Sequence, residues 1–129
     1  MELPLSYTFV LVHGAWHGGW CWQRVADRLR GGGHRVFTPT LTGLGERSHL
    51  LRTGIDLQTH VADVVNVLKW EGLTDVVLCG HSYGGFVISV VAEEMARHPA
   101  APRRSLRRQR RRPRMGGPPL RRATDRNLY

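Results

Sequence analysis

The segment Val76-Val77-Leu78-Cys79 is apolar and runs without a spacer into Gly80-His81-Ser82-Tyr83-Gly84-Gly85, after which a second apolar run, Phe86–Val91, begins at once. The first run is short and rich in β-branched residues, the pattern of a buried strand. The second belongs to a longer stretch, Gly84–Arg97, that stops before Pro99 and has the length of a helix. Only a glycine-rich hexapeptide separates them, so the chain must turn from strand to helix within a residue or two. Side chains two positions either side of Ser82 would collide in so sharp a turn, which accounts for Gly80 and Gly84.

The same alternation fills the first 98 residues. Tyr7–Val12 reads as a strand ended by His13-Gly14, and Trp20–Arg30 as a helix with Cys21, Val25 and Leu29 on one stripe, closed by three glycines. Arg35–Thr38 is a second short strand cut by Pro39, and the Gly/Thr-rich stretch Thr40–Thr53 reads as a loop. In Thr59–Lys69 the apolar positions Val61, Val64, Val65 and Leu68 follow a helical repeat, and Asp75–Cys79 is the third strand. The order β-α-β-α-β-α, with strands apolar throughout, predicts an α/β fold with a parallel sheet covered on both faces.

Composition narrows the classes further. The 129 residues are 41% hydrophobic, and no window approaches the ~18 continuous apolar residues of a membrane-spanning helix. Met1-Glu2-Leu3-Pro4 is no basic leader, the two cysteines offer neither a disulfide framework nor metal-ligand spacing, and the expected localisation is cytoplasmic. The formal charge of +9 is unevenly spread. Residues 1–98 hold eight basic and nine acidic side chains, a net of −1, whereas residues 99–129 hold eleven Arg and one acid, a net of +10. The domain division is therefore 1–98 for the α/β unit and 99–129 for a basic Arg/Pro-rich tail, expected to be disordered.

The turn at Gly80–Gly84 also carries chemistry. It is a G-x-S-x-G motif with a strand before it and a helix after it, the setting of a nucleophile elbow, in which Ser82 is lifted above the sheet edge. The amide of Tyr83 then opens a helix and faces any oxyanion that forms beside the serine. The second donor should follow the first strand, where His13-Gly14-Ala15-Trp16 offers the amide of Ala15. The competing reading is a glycine-rich turn with Ser82 as an ordinary helix cap. A dinucleotide fingerprint or phosphate-binding loop is absent after the first strand, and the seven histidines show no metal spacing. His81 reads as a packed elbow residue, and Trp16, Trp20 and Trp22 suit either an acyl pocket or helix–strand packing.

FVLVHGAWHGGWCW, GHRVFTPTLTGLGERSH and DVVLCGHSYGG, within about residues 7–92, resemble the N-terminal half of an α/β-hydrolase. More narrowly they resemble the branch of plant methylesterases, hydroxynitrile lyases and bacterial esterases. The resemblance implies Ser82 as nucleophile, Ala15 and Tyr83 as oxyanion donors, the first strand between the other two, a small-molecule ester substrate, and neither cofactor nor metal.

Such a triad places its acid and then its histidine after the serine. Here Glu93, Glu94 and His98 lie on the elbow's own helix, roughly 15 Å or more away along its axis, and Asp125 lies in the tail. The chain is thus expected to be a truncated, inactive hydrolase with the far edge of its third strand uncovered. The tail's Arg, Pro, Ala and Gly all use GC-rich codons and it contains no Lys, which points to a frameshifted reading of a GC-rich gene. Resequencing the locus tests that origin. Whatever its origin, the tract suits non-specific binding to nucleic acid or another anionic surface. Binding to duplex DNA, followed by fluorescence anisotropy, should weaken steeply from about 50 to 200 mM salt and be lost on deletion of residues 99–129.

Overall fold

A computed structural model describes residues 5–98. The expected disordered tail and Asp125 lie outside the described residues. Three strands, β1 (Thr8–Val12), β2 (Arg35–Phe37) and β3 (Val76–Gly80), alternate with three helices, α1 (Gln23–Gly31), α2 (Leu57–Trp70) and α3 (Tyr83–Arg97). The sheet is parallel in the order β2-β1-β3, so β1 is central as the resemblance implied. In register, Val10 lies beside Phe37 on one side and Leu78 on the other.

The alternation of side chains along β1 builds two cores. Leu11 faces α1 and packs with Ala26 and Val36, joined by Phe9, Trp22 and Leu29. Val10 and Val12 face α2 and α3 and pack with Leu41, Val61, Val64, Leu68, Val87 and Val91. A strand buried on both faces by crossover helices explains why Tyr7–Val12 reads as continuously apolar.

Several expectations are corrected. The stretch Gly19–Trp22 forms a 3-10 turn before α1 begins, so Cys21 lies outside the α-helix. The residues turned inward are Trp22, Ala26 and, as expected, Leu29, whereas Cys21 and Val25 are exposed. A second 3-10 segment, Gly45–Leu50, lies inside the expected loop. Helix α2 starts two residues before Thr59, because Asp56 and Thr59 form a reciprocal capping box. Both-face burial holds for β1 but fails for β3, where Val76 and Leu78 turn inward while Val77 and Cys79 are exposed. No described helix covers that face, and among the described residues β3 is also an edge strand.

Edge backbone groups beside exposed Val77 (41% accessible) are a template for self-association. Val77→Lys should slow aggregation in light scattering while leaving the thermal midpoint nearly unchanged, because the position contributes little burial.

Candidate active site

The elbow is built by two close backbone approaches. A Cβ on Gly84 would lie 2.4 Å from the Val12 carbonyl oxygen, and one on Gly80 would lie 2.6 Å from the Gly84 carbonyl carbon. Both distances are shorter than any real Cβ contact, so glycine is obligatory at each position. Backbone bonds then close the turn: the His81 N–H donates to the Val12 carbonyl at 3.0 Å, and the Gly84 N–H to His81 at 2.9 Å. Between them Ser82 sits at φ 52°, ψ −120°, a conformation an L residue holds only when its surroundings enforce it.

Ser82 occupies the cap position of α3, yet its side chain makes no capping hydrogen bond and is exposed. The ordinary-cap reading therefore does not describe it. The amide of Tyr83 is the first of α3, one of the N–H groups a helix leaves without an internal acceptor.

The loop after β1 lies against this turn, with a Cβ on Gly14 falling 3.3 Å from Ser82 Cβ. Its orientation is set by His13, which is fully buried. The Leu41 N–H donates to His13 Nε2 at 3.0 Å, and an N–H cannot accept, so the ring is neutral with its proton on Nδ1. That proton is donated to the Gly14 carbonyl at 2.7 Å. In a trans peptide the N–H points opposite the carbonyl, so fixing Gly14 C=O also fixes the direction of the Ala15 N–H. The next carbonyl, of Ala15, accepts from His17 Nδ1 at 2.8 Å.

A second polar chain was not legible in the sequence. On the apolar face of α2, His60 is 7% exposed and bonds the Tyr83 hydroxyl through Nδ1 at 2.7 Å and the Thr42 carbonyl through Nε2 at 2.9 Å. Thr42 in turn donates from its amide and its hydroxyl to Asp63 at 2.6 and 2.7 Å. Burial, with a smaller contribution from the Asp56 charge, pushes the Tyr83 phenol above its usual range and keeps it a donor. The signal available beforehand was a histidine adjoining the Val61–Val64–Leu68 stripe, a position that demands polar partners.

The side chains of the remaining candidates make no hydrogen bond to Ser82. His81, expected as a packed residue, is exposed, with its ring 6.3 Å from and edge-on to that of His17. Trp16 and Trp20 are exposed and enclose nothing, whereas Trp22 packs beneath α1. Glu93 pairs with Arg97, and His98 ends α3. No acid or histidine among the described residues bonds Ser82. A cleft of about 500 Å³ lined by Phe37, Arg47, Asp63 and Trp70 lies between the end of β2 and α2, and Ser82 does not line it.

This geometry matches a known family. The family model described as "Alpha/beta hydrolase family" matches residues 9–128, and the chain belongs to that family. A carbendazim hydrolyzing esterase of Nocardioides sp. (strain SG-4G) is 57% identical over 89 residues, which are 69% of this chain and 37% of that protein. Methylesterase 10 of Arabidopsis thaliana is 35% identical over 96 residues, 72% of this chain and 34% of that protein. Among solved structures, an extracellular alpha/beta-hydrolase from a Paenibacillus species superposes with a TM-score of 0.64 at 36% identity, covering 70% of this chain and 36% of that one. Polyneuridine aldehyde esterase superposes with a TM-score of 0.60 at 27% identity, covering 72% of this chain and 37% of that one. The chain thus spans little more than a third of the length of these relatives.

Burial holds the His13 imidazolium at a disadvantage and lowers its pKa, against smaller opposing effects of the Gly14 carbonyl and Glu46 and reinforced by His17 and His60. The folded chain therefore takes up this proton at lower pH than the unfolded chain, whose value is about 6.5. Stability from this group is complete above that value and declines as pH falls towards the folded pKa, by at most about 1.4 kcal/mol per pH unit. Urea unfolding from pH 7.5 to 5 should show that decline, and His13→Asn should flatten it.

Proposed function

We propose that the chain carries the nucleophile half of a serine carboxylic ester hydrolase acting on small esters. The observation that supports it most is Ser82 itself, strained at positive φ, exposed, and with a hydroxyl committed to no cap. Such strain persists where a reactive atom must be presented to a ligand. Ser82 Oγ would add to the ester carbonyl carbon as its proton passes to a general base. The carbonyl oxygen, becoming an oxyanion, would be held by the amides of Ala15 and Tyr83, with the α3 dipole adding to the field. Collapse expels the alcohol and leaves an acyl group on Ser82, which water later removes. The names of the relatives, an esterase and a methylesterase, support an ester substrate.

The general base is the part this reading leaves unassigned, because Ser82 has no histidine within hydrogen-bond reach. The 129-residue chain by itself is therefore expected to be inactive in turnover. A fluorophosphonate probe, offered where hydroxide can take the serine proton in place of the missing base, should label Ser82 slowly and faster as the pH is raised. Ser82→Ala should abolish that labelling, and p-nitrophenyl acetate should show no sustained Ser82-dependent turnover. Labelling at another residue would overturn the assignment of the nucleophile. Sustained turnover lost in Ser82→Ala would overturn the expectation of inactivity.

A further inference from the structure

We propose that His60 is a positioning residue that holds the oxyanion donor at Tyr83 in place through the Tyr83 phenol. The inference rests on the reading of the Tyr83 amide as an oxyanion donor. Its basis is a polar chain set into an apolar layer, where Val61, Val64, Leu68, Val87 and Val91 pack α2 against α3. Leucine at position 60 would continue that layer. Instead His60 uses both ring nitrogens, one on the Thr42 carbonyl and one on the Tyr83 hydroxyl.

The partners settle the direction of the chain. A carbonyl only accepts, so His60 Nε2 carries the proton donated to Thr42, and in the neutral ring Nδ1 accepts from the Tyr83 O–H. Thr42 is immobilised by its two bonds to Asp63, and Arg47 lies 3.8 Å from that carboxylate while donating to the Thr40 carbonyl at 2.8 Å. The rings of His60 and Tyr83 meet edge to face, with centroids 5.6 Å apart. At its other end the chain terminates on the residue that directly follows the strained Ser82.

A tyrosine ring has few internal rotations, so anchoring its hydroxyl restrains the Cα and the amide at its base. Positions of oxyanion donors matter at the scale of an ångström, and this part-buried hydrogen-bond network supplies rigidity that apolar contacts alone would not. A role confined to stability would treat every reaction at residue 82 alike. A positioning role affects only those that form an oxyanion.

That difference supplies the test. In the full chain carrying Ser82→Cys, the thiolate attacks without a general base. Its acylation by p-nitrophenyl acetate forms the S–C bond through a tetrahedral oxyanion and expels p-nitrophenolate. Its alkylation by iodoacetamide expels iodide and forms no oxyanion. The ratio of the two rates is read at position 82 by peptide mass spectrometry, with the exposed Cys21 and Cys79 in the same molecule as references. The ratio should exceed that of both references. Adding Tyr83→Phe or His60→Gln should lower it about 10-fold, less than the roughly 10²–10³ lost when such a donor is removed outright. The two changes together should cost no more than His60→Gln alone, since the bond that Tyr83→Phe removes is among those His60→Gln removes. Should His60→Gln unfold the chain, Tyr83→Phe, which keeps the ring and the amide, decides alone. A raised ratio that Tyr83→Phe leaves unmoved overturns the role of His60. A ratio no higher than at Cys21 and Cys79 overturns the oxyanion reading itself, and the role of His60 with it.

Discussion

The first turn of α3 rests directly on the end of β1. Gly84 lies so near the carbonyls of Val12 and His13 that a methyl group there would stand 2.4 and 2.7 Å from their oxygens. Everything around the serine depends on that approach. It sets where α3 begins, forces Ser82 into positive φ, and brings the loop after β1 against the turn that follows β3. Two segments nearly seventy residues apart in the chain thereby become one site.

Around this contact the molecule is asymmetric. On the α2–α3 side, apolar packing is interrupted by a polar frame running from Asp63 through Thr42 and His60 to Tyr83, and from Leu41 through His13 to Gly14. The short segment Thr40-Leu41-Thr42 joins both branches, so one loop steadies both sides of the elbow. On the opposite side, β3 presents Val77 and Cys79 without cover. The polar frame and the uncovered side of β3 thus lie on the two faces of one sheet.

Much of this was legible beforehand. The parallel α/β order, the elbow and the adjoining His13-Gly14-Ala15 loop follow from strand and helix periodicities and from glycines at required positions, whereas the central place of β1 was implied only by the family resemblance. The inward face of α1 was misread because Cys21 belongs to the 3-10 turn Gly19–Trp22 and not to α1, and because Ala26 rather than Val25 joins Leu29 inward, a choice that periodicity alone does not report. The exposure of Val77 was missed because a β-branched run looks the same whether one face or both are covered. His60 went unnoticed because its partners, Thr42 and Tyr83, lie 18 and 23 residues away.

The amino-acid sequence by itself determined the class of fold, the identity of Ser82 as the residue at the elbow, and the separation of charge between residues 1–98 and 99–129. These depend on local rules: periodicity, backbone permissiveness at glycine, and composition. Only the tertiary structure decided that Ser82 caps nothing, that His13 is neutral and aims the Ala15 amide, and that His60 holds Tyr83. Those features arise from hydrogen bonds between segments distant in the chain, whose geometry exists only once β1, α2 and α3 have packed.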